Sequence, residues 1–469
     1  MSTLRKDVVV VGGGPSGLSA AWQLRHLDIL VLEQRDRLGG RLKSEPRGDY
    51  WLNYGGHLFP GAGSTMHNLT QQLGLEVIEI PGLKTAMSFA GKVYKSKRVE
   101  AYPFLLPMTL RERFELVKVG TTLMTTVARW QRVAKERPGE RPSARRARIA
   151  AFRAGETFRD LLGRPSRRVD EIFQSAARRA AAEPEQQSAG VGVALFGAVW
   201  SGKKDNTALN LRGGSGMFAA AMARELGDRV QLGATVTLVE ETADGVRVTY
   251  RTGDAEHEVL ADQVIVAVPA HLAREVVRDI PADVDEALRV PQYGSWVGMT
   301  MLTDEPGPMP YDDIYAMTTP DRTFDMFFNH ANPVQPPGRR AAGGSLMCYA
   351  GGATATRLLE LPDEEITELY QREIFELFPA LRGHIVESHI QRWRIGGTYR
   401  SIGDASFEPV LRYAAEPGHR IRFAGDYFAP LGQMEVAVTA GKDAAEAVVR
   451  DRAGTRPQVS ARSNPGEHR

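Results

Sequence analysis

Residues 7–33, with the sequence DVVVVGGGPSGLSAAWQLRHLDILVLE, contain the pattern that decides the fold. Residues 7–11 form a short β-branched run that predicts a buried parallel strand, and residues 28–33 predict a second one. Between them, a glycine-rich turn leads into residues 18–27, where apolar residues recur at helical spacing. The stretch therefore predicts a β-α-β unit over the first ~33 residues.

The turn between the predicted strand and helix has the pattern of a phosphate-binding loop. Gly12 permits the tight turn, Gly14 lets the backbone approach a pyrophosphate, and Gly17 lets the helix pack closely on the strand. Pro15 and Ser16 open the helix. The N–H groups and positive dipole end of its first turn suit phosphate charge. The loop therefore predicts a dinucleotide ligand.

Two further features favour FAD over NAD as that dinucleotide. Glu33 ends the second strand, followed by Gln34, and an acid at this position can accept hydrogen bonds from ribose hydroxyls. Shortly afterwards, Gly39-Gly40-Arg41 forms a second glycine turn, which a nicotinamide enzyme does not need. Arg41 would offset phosphate charge with its fork of donors. The alternative for this turn is a surface loop with a solvated arginine.

Composition excludes several classes of protein. Of the 469 residues, 42% are hydrophobic and 25% are charged, as in ordinary globular proteins, and the net charge of +2 gives no indication of nucleic acid binding. Arginines cluster in residues 137–148, where Arg141, Arg145 and Arg146 predict either a solvated helix face or a docking patch for an acidic partner or membrane.

A single cysteine, Cys348, excludes an intrachain disulfide and a cysteine-based metal cluster, and we predict no metal site. The chain opens directly into a strand, without a signal peptide, and no apolar run reaches the ~18 residues that cross a bilayer. We therefore expect a cytoplasmic protein. Contact with a membrane surface is possible but not indicated, and the sequence gives no oligomeric state.

The hydrophobic pattern along the chain predicts a discontinuous α/β architecture. Helical spacing dominates about 82–206, whereas β-meander, strand and helix patterns resume beyond it. Residues 235–260 predict a three-stranded meander, and residues 263–268 predict a separate buried strand that Pro269 stops. We expect a Rossmann-like FAD-binding domain with a β-meander, formed by residues 1–80, 205–290 and 415–450. An α+β substrate domain with a helical insertion would comprise residues 81–204 and 291–414. The polar residues 451–469 predict a disordered tail.

The phosphate loop, Glu33 and the Gly39-Gly40-Arg41 turn resemble the start of the flavin amine oxidase superfamily, which includes monoamine oxidases, protoporphyrinogen oxidases and phytoene desaturases. Residues 53–59 (NYGGHLF), 423–426 (FAGD) and 432–435 (GQME) extend the resemblance. It implies an FAD-dependent oxidoreductase, a dehydrogenase or oxidase, that acts on a small molecule.

The resemblance also implies roles for individual residues in flavin binding. The backbone of Gly55 and Gly56 would lie against the isoalloxazine ring. His57 would face the flavin or substrate, or else cap the turn as a structural histidine. The remaining implied cofactor contacts are the backbone of Val236 at the adenine, Gly425 and Asp426 at the ribityl chain, and Gln433, Met434 and Val436 at the start of the closing helix.

The sequence departs from the amine oxidases at the positions that carry their chemistry. Gly298 stands about where those enzymes place a lysine beside the flavin. Tyr399 matches the first ring of their aromatic pair, with Trp393 nearby, but Gln433 replaces the second ring. The alternative for both Tyr399 and Trp393 is plain core packing. No cysteine precedes Met434, so we predict non-covalent FAD. The candidate catalytic residues are His57, Trp393, Tyr399 and Gln433.

With no evident general base, direct removal of hydride from a C–N, C–C or C–O bond is the economical mechanism. Residues 102–110, with Phe114, Leu116, Val119 and Met124, would line a tunnel for a bulky, relatively apolar substrate such as a biosynthetic intermediate, or would form the core of the insertion. The electron acceptor is O₂ or another, unidentified molecule. The alternatives are an amine oxidase proper, a non-redox flavin-dependent isomerase or mutase, and a non-enzymatic scaffold.

Overall fold

The computed structural model describes residues 4–82, 84–140, 142–197, 199–200, 208–335, 340–403 and 406–455. Arg141 and residues 456–469 lie outside the described residues. The predicted disordered tail begins too early, because the last helix continues to Thr455 and its residues Asp451 and Arg452 are tied to the body of the protein through Arg422 and Asp7.

The strands in chain order are β1 (Leu4–Val11), β2 (Ile29–Leu32), β3 (Ser44–Arg47), β4 (Tyr50–Asn53), β5 (Phe59–Pro60), β6 (Val77–Glu79), β7 (Ala86–Phe89), β8 (Lys92–Tyr94), β9 (Ala208–Leu211), β10 (Val230–Gln231), β11 (Ala234–Thr242), β12 (Gly245–Thr252), β13 (Ala255–Val266), β14 (Pro291–Thr303), β15 (Ala316–Thr318), β16 (Met326–Asn329), β17 (Gly344–Gly351), β18 (Ile385–Arg400) and β19 (Ile421–Phe423).

The α-helices are α1 (Pro15–Gln23), α2 (Thr65–Gln72), α3 (Tyr102–Leu105), α4 (Leu110–Ala134), α5 (Pro142–Ala150), α6 (Phe158–Leu162), α7 (Arg167–Ala177), α8 (Ala189–Leu195), α9 (Gly216–Leu226), α10 (Ala270–Val276), α11 (Ala282–Ala287), α12 (Gly352–Leu358), α13 (Asp363–Leu377), α14 (Glu408–Ala415) and α15 (Met434–Thr455). Among the described residues, no helix is both long and apolar enough to cross a membrane.

The first sheet brings the two ends of the chain together around β1. Its strand order is β10-β2-β1-β13-β12-β11, with β19 also pairing with β13. β1 runs parallel to both β2 and β13, and its last four residues, Val8 to Val11, are buried because helices cover both faces. The carboxyl ends of these parallel strands meet at one edge, which is where doubly wound folds bind ligands.

One predicted boundary within this sheet is wrong. The sequence divides the third meander strand from a separate buried strand at residues 263–268, but the structure has one strand, β13, that ends at Val266. Its first half pairs antiparallel with β12, and its second half pairs parallel with β1 and β19. The two halves differ in pattern because the first is largely solvent-exposed and the second is buried on both faces.

The second sheet has the order β18-β14-β17-β16-β15-β7-β8 and forms the floor of the other half of the molecule. Two of its strands, β7 and β8, lie at the start of the stretch 82–206 where helical spacing dominates, and the helices of the insertion follow them. β18 was also not predicted as a strand, because its polar residues keep much of it only half-buried and two glycines interrupt it.

The helices of the insertion form a separate apolar core above the second sheet. This core includes residues from α4, α6, α7 and α8 together with Phe89 of β7. The arginine-rich α5 lies against the rest of the protein, where Arg146 forms an ion pair with Asp443 (2.7 Å) and Arg148 contacts Glu140 (2.5 Å).

The closing helix α15 packs directly on α1. The Ser16 hydroxyl donates to the Ala437 carbonyl (2.8 Å) and the Ser19 hydroxyl donates to the Val438 carbonyl (2.7 Å). Gly441 permits this approach, since a Cβ there would lie 2.0 Å from the Ser16 carbonyl oxygen. The first and last helices therefore form one unit beside the phosphate loop.

Candidate functional site

The phosphate loop has the geometry that its glycines predict. Gly12 has a φ of +102°, and a Cβ on Gly17 would lie 1.8 Å from the Gly12 carbonyl oxygen, so only glycine fits where α1 crosses β1. No side chain caps the N-terminus of α1 at Gly14. The helix therefore presents free N–H groups at the edge of the sheet.

Glu33 is fixed at the end of β2 by backbone donors. One carboxylate oxygen accepts from the Gly13 N–H (2.7 Å) and the other accepts from the Arg35 N–H (2.8 Å). The side chain is buried, and the residue lines the cavity beside the loop. These contacts hold the carboxylate in one orientation while its remaining lone pairs are free to accept from ribose hydroxyls.

The Gly39-Gly40-Arg41 turn lies directly on the phosphate loop, because a Cβ on Gly40 would be 3.2 Å from the Gly14 Cα. The Arg41 guanidinium contacts the Asp426 carboxylate (2.9 Å) and the Gly396 carbonyl oxygen (2.8 Å). Burial opposes the charge on Arg41, but the Asp426 carboxylate raises its pKa. This pair joins the start of the chain to the closing block.

These elements surround a cavity of about 460 Å³. The predicted cofactor residues that line it are Gly12, Gly14, Pro15, Ser16, Glu33, Gln34, Gly40, Arg41, Val236, Gly425 and Asp426. A Cβ on Gly14 would meet no atom within 4 Å, so this glycine leaves open space at the uncapped helix end. Room for a pyrophosphate, a free helix N-terminus and an oriented carboxylate fit the dinucleotide half of FAD.

Sequence reasoning missed one wall of this cavity. Residues 267–269 follow β13 and line the site, and the Ala267 carbonyl oxygen lies 2.8 Å from where a Cβ on Gly12 would be. The signal was present, since a buried parallel strand stopped by Pro269 must end at the same edge as β1. Other lining residues that were not predicted include Arg35, Thr235, Leu272, Glu275 and Ile395.

The remaining predicted cofactor residues do not line this cavity. Gly17 and Gly39 act beneath it by allowing close packing, and Met434 and Val436 pack against the core of the first sheet. A second group continues the site from the Arg41–Asp426 pair. A Cβ on Gly55 would lie 2.1 Å from the Arg41 carbonyl oxygen, and Gly56 and His57 follow it in the chain.

His57 caps its own turn and is buried among rings. Its Nδ1 donates to the Gly55 carbonyl oxygen (3.0 Å), and its ring packs edge-on against Phe328 (4.8 Å) and His330 (4.6 Å). Burial lowers the pKa of His57 to about 4, so the imidazole is neutral at pH 7. The geometry supports the structural alternative for this histidine, although its buried Nε2 has no partner among the described residues.

Trp393 lies behind the flavin-binding turns. Its indole N–H donates to the Tyr54 carbonyl oxygen (2.7 Å), and its ring lies 3.5 Å from where a Cβ on Gly55 would be. The guanidinium carbons of Arg35 and Arg37 lie 5.6 and 6.0 Å from the ring centroid. These contacts are those of a packing and positioning residue.

The end of β18 places Tyr399 beside the segment that leads into Gln433. Tyr399 forms an isolated bridge with Leu431, and the Gly432 N–H donates to the Thr398 carbonyl oxygen (2.9 Å). Tyr399 is buried against Ala180 and Ala182, whereas Gln433 is exposed. Position 432 also borders the cofactor site, since a Cβ there would lie 2.6 Å from an Asp426 carboxylate oxygen.

A second cavity, of about 340 Å³, lies between the insertion and β7. We call it the insertion cavity. Five of the residues predicted to line a tunnel do line it: Tyr102, Pro103, Phe104, Leu116 and Met124. Val119 is instead buried in the insertion core, and Phe114 is 70% exposed. Ala176 and Arg179 line the cavity, and Ala180, which follows Arg179, belongs to the same small apolar cluster as Tyr399.

A family model described as flavin containing amine oxidoreductase matches residues 15–449. The chain belongs to this family. It is 26% identical to the canine flavin-containing amine oxidase A over 484 residues, covering 94% of this chain and 85% of that protein. It is 27% identical to an L-amino acid dehydrogenase of Synechocystis over 294 residues, covering 59% of this chain and 58% of that protein.

Solved structures share the fold of this amine oxidoreductase. Putrescine oxidase bound to putrescine has a TM-score of 0.73 at 22% identity, covering 96% of this chain and 100% of that one. Cyclohexylamine oxidase from Brevibacterium oxydans IH-35A has a TM-score of 0.74 at 20% identity, covering 96% and 99%. The family and the cavity together make this protein an FAD-dependent oxidoreductase with a Rossmann-like α/β fold.

Non-covalent attachment of FAD stays a prediction for this amine oxidoreductase. We expect all of the flavin to be released into the supernatant when the yellow protein is denatured by heat or acid, because the one cysteine, Cys348, is buried in β17. Absorbance at flavin wavelengths in the supernatant and the pellet provides the measurement. Flavin that remained with the precipitated chain would contradict the prediction.

Proposed function

We propose that this enzyme oxidises an amine by removing hydride from the carbon of a C–N bond, and that the apolar body of the amine occupies the insertion cavity. The observation that carries the proposal is the position of that cavity. It is walled mainly by apolar side chains, and the short turn Arg178–Ala180 carries Arg179 in the cavity wall and Ala180 in the same apolar cluster as Tyr399.

Bound FAD supplies the redox chemistry, and the protein positions the substrate and excludes water. Tyr399 offers one aromatic face to the amine. Opposite it, Gln433 offers an amide, which can donate or accept a hydrogen bond but gives no second ring. A single ring supplies only about 0.5–1 kcal/mol of cation–π attraction if the site is wet.

No lysine stands at position 298 to organise the reacting end of the site. A Cβ on Gly298 would lie 3.1 Å from the Cys348 carbonyl oxygen and 3.3 Å from the Tyr349 Cβ, so the space is narrow. His57 is neutral and buried, so it does not supply the positive charge of the missing lysine. These features favour a substrate that reacts as the neutral amine and binds chiefly through its apolar body.

A bulky amine from a biosynthetic pathway therefore suits the site better than a short primary amine. The acceptor of the electrons is O₂ or another oxidant, and a cytoplasmic location stays a prediction. The second candidate is oxidation of simple amines, which the named activities of putrescine oxidase and cyclohexylamine oxidase favour.

The test is a substrate panel scored by anaerobic flavin bleaching and by hydrogen peroxide release. It should contain short amines (putrescine, tyramine, benzylamine, cyclohexylamine) and amines with larger aliphatic or polycyclic bodies. We expect bleaching by the larger amines and turnover of the short ones well below the typical enzyme median of about 10 per second. Rapid turnover of a short amine would establish the second candidate, and bleaching by no amine would overturn the proposal.

A further inference from the structure

The insertion cavity contains charge as well as apolar surface. Arg179, Lys84 and Glu100 all line it. Arg179 follows Arg178 in the short turn after α7, but the two arginines have different surroundings. Arg178 contacts Glu183 (2.8 Å) and Asp325 (3.5 Å), whereas Arg179 has no carboxylate within 4.0 Å among the described residues.

Among the described residues of the cavity wall, Glu100 is the one acidic side chain, and it is engaged elsewhere. The Glu100 carboxylate accepts a hydrogen bond from the Trp200 indole N–H (2.7 Å) and forms no ion pair with Arg179 or Lys84. Lys84 likewise has no carboxylate partner in the described part of the chain. In the described ranges, the wall therefore carries two cations against one carboxylate. Lys84 and Arg179 are exposed, so their charges stay available to a ligand, and the cavity favours an anionic ligand group.

Arg179 is linked to the reacting end of the site through Tyr349. The turn that carries Arg179 packs on β17, since a Cβ on Gly351 would lie 2.1 Å from the Arg178 carbonyl oxygen. Burial raises the pKa of Tyr349, two residues earlier in β17, to about 12, and the nearby charge of Arg179 opposes the rise. Tyr349 in turn pairs with Gly298 across β14 and β17. Since Gly298 stands where related enzymes place a lysine beside the flavin, Tyr349 lies between Arg179 and the reacting end.

We propose that the substrate is an amine that also carries a carboxylate, separated from the amine by an apolar chain, and that Arg179 binds this carboxylate. The inference rests on the proposed amine oxidation. A guanidinium fork matches a carboxylate with two parallel hydrogen bonds. Because Tyr349 lies between Arg179 and position 298, the carboxylate belongs at the far end of the substrate and not on the carbon that bears the amine.

Three six-carbon probes test the placement: hexylamine, 6-aminohexanoate and 2-aminohexanoate. We expect kcat/KM for 6-aminohexanoate to exceed that of the other two at least tenfold. Arg179→Gln should remove this preference through KM with kcat nearly unchanged, and Arg179→Lys should retain part of it. The matched control is Arg167→Gln, which removes the same charge from a 90% exposed side chain in α7 and should change nothing.

A binding measurement separates this inference from the proposed function. Hexanoate and 1-hexanol are titrated into the FAD-loaded protein and followed by the flavin absorbance difference spectrum. We expect hexanoate to bind at least tenfold more tightly than 1-hexanol in the wild type and equally in Arg179→Gln. The inference would be overturned if hexanoate and 1-hexanol bound the wild type with equal affinity, or if the preference for hexanoate survived in Arg179→Gln.

The combined outcomes distinguish the two proposals. If no amine bleaches the flavin but hexanoate binds through Arg179, amine oxidation is wrong and the anion site stands. If hexylamine and 6-aminohexanoate are oxidised with equal kcat/KM, amine oxidation stands and the carboxylate site is wrong. A preference for 2-aminohexanoate would overturn the placement of the carboxylate at the far end.

Discussion

The dinucleotide cavity and the insertion cavity are walled by different kinds of atoms. Backbone and glycines form much of the first, where Gly12, Gly14 and Gly40 bring main chain together without a Cβ between them. Side chains from several helices and from β7 form the second. A backbone wall recognises what all dinucleotides share, whereas a side-chain wall changes its ligand with each substitution. We therefore expect substitutions in the wall of the insertion cavity to change which substrate binds, and substitutions at the three glycines to weaken the binding of any dinucleotide.

The largest expected effect is a difference in stability between substitutions of two glycines in the phosphate loop. Gly17→Ala should prevent folding or destabilise the protein by about 3 kcal/mol or more, because the new Cβ would overlap the Gly12 carbonyl oxygen. Gly14→Ala should fold, since its Cβ meets no protein atom within 4 Å, but should bind FAD at least tenfold more weakly. Urea unfolding of the FAD-free protein and FAD titration provide the measurements. Equal stability of the two variants would contradict the packing role of Gly17.

Glu33→Ala should weaken FAD binding by about 1–3 kcal/mol, the range for leaving polar partners unmatched. Two backbone N–H groups, of Gly13 and Arg35, also lose their acceptor, so the loop should loosen. Glu33→Gln is the matched control, because its amide oxygen retains one acceptor and should recover part of the affinity. Fluorescence titration of FAD measures both. Wild-type affinity in the alanine variant would show that Glu33 does not hold the ribose.

Acid should destabilise the region behind the flavin-binding turn. Burial lowers the pKa of His57 to about 4 and that of His330 well below its ordinary value. Both take up protons only in the unfolded chain once the pH falls below about 6.5, so stability is constant above that pH and is lost as the pH decreases towards 4. His57 alone should cost about 2 kcal/mol at pH 5.

The check is urea unfolding at pH 7.5 and 5.0 with saturating FAD. His330→Phe, which keeps a ring in the cluster, should reduce the loss between the two values. The control is His26→Phe at the surface, which should leave it unchanged. A stability that rises on acidification would show that these histidines become charged in the folded protein.

The smallest expected effect concerns the wall of the insertion cavity. Phe104→Ala removes apolar wall from the insertion cavity and should lower kcat/KM for a bulky amine about threefold to fivefold, near 1 kcal/mol, with FAD content unchanged. Leu110→Ala is the matched control, since Leu110 is 86% exposed and outside that cavity. Equal kinetics in the two variants would place the substrate elsewhere.

The dinucleotide cavity could be predicted from the sequence, whereas the insertion cavity could not. The β-α-β unit, the glycine turns and Asp426 depend on local patterns or on short blocks, and the structure brings them to one cavity. The Ala267 wall required only the further step of aligning β13 with β1. These features were accessible because glycine positions and buried strands are determined by neighbouring residues.

The missed strands share a physical cause. β7 and β8 are short, and β18 is half-buried and polar, so their residues lack the alternation that identifies strands. Arg179 gave no local signal either, because its neighbour Arg178 has the same side chain and pairs with Glu183. Which of two adjacent arginines faces a cavity depends on the tertiary path of the turn.

The packing of α15 on α1 has a consequence for biosynthesis. The phosphate loop and α1 are translated about 400 residues before the Ala437 and Val438 carbonyl groups that accept from Ser16 and Ser19. β19, which pairs with β13, is translated only shortly before them. We therefore expect flavin capture to be a late step, and a chain that stops before about residue 434 to retain the cofactor poorly.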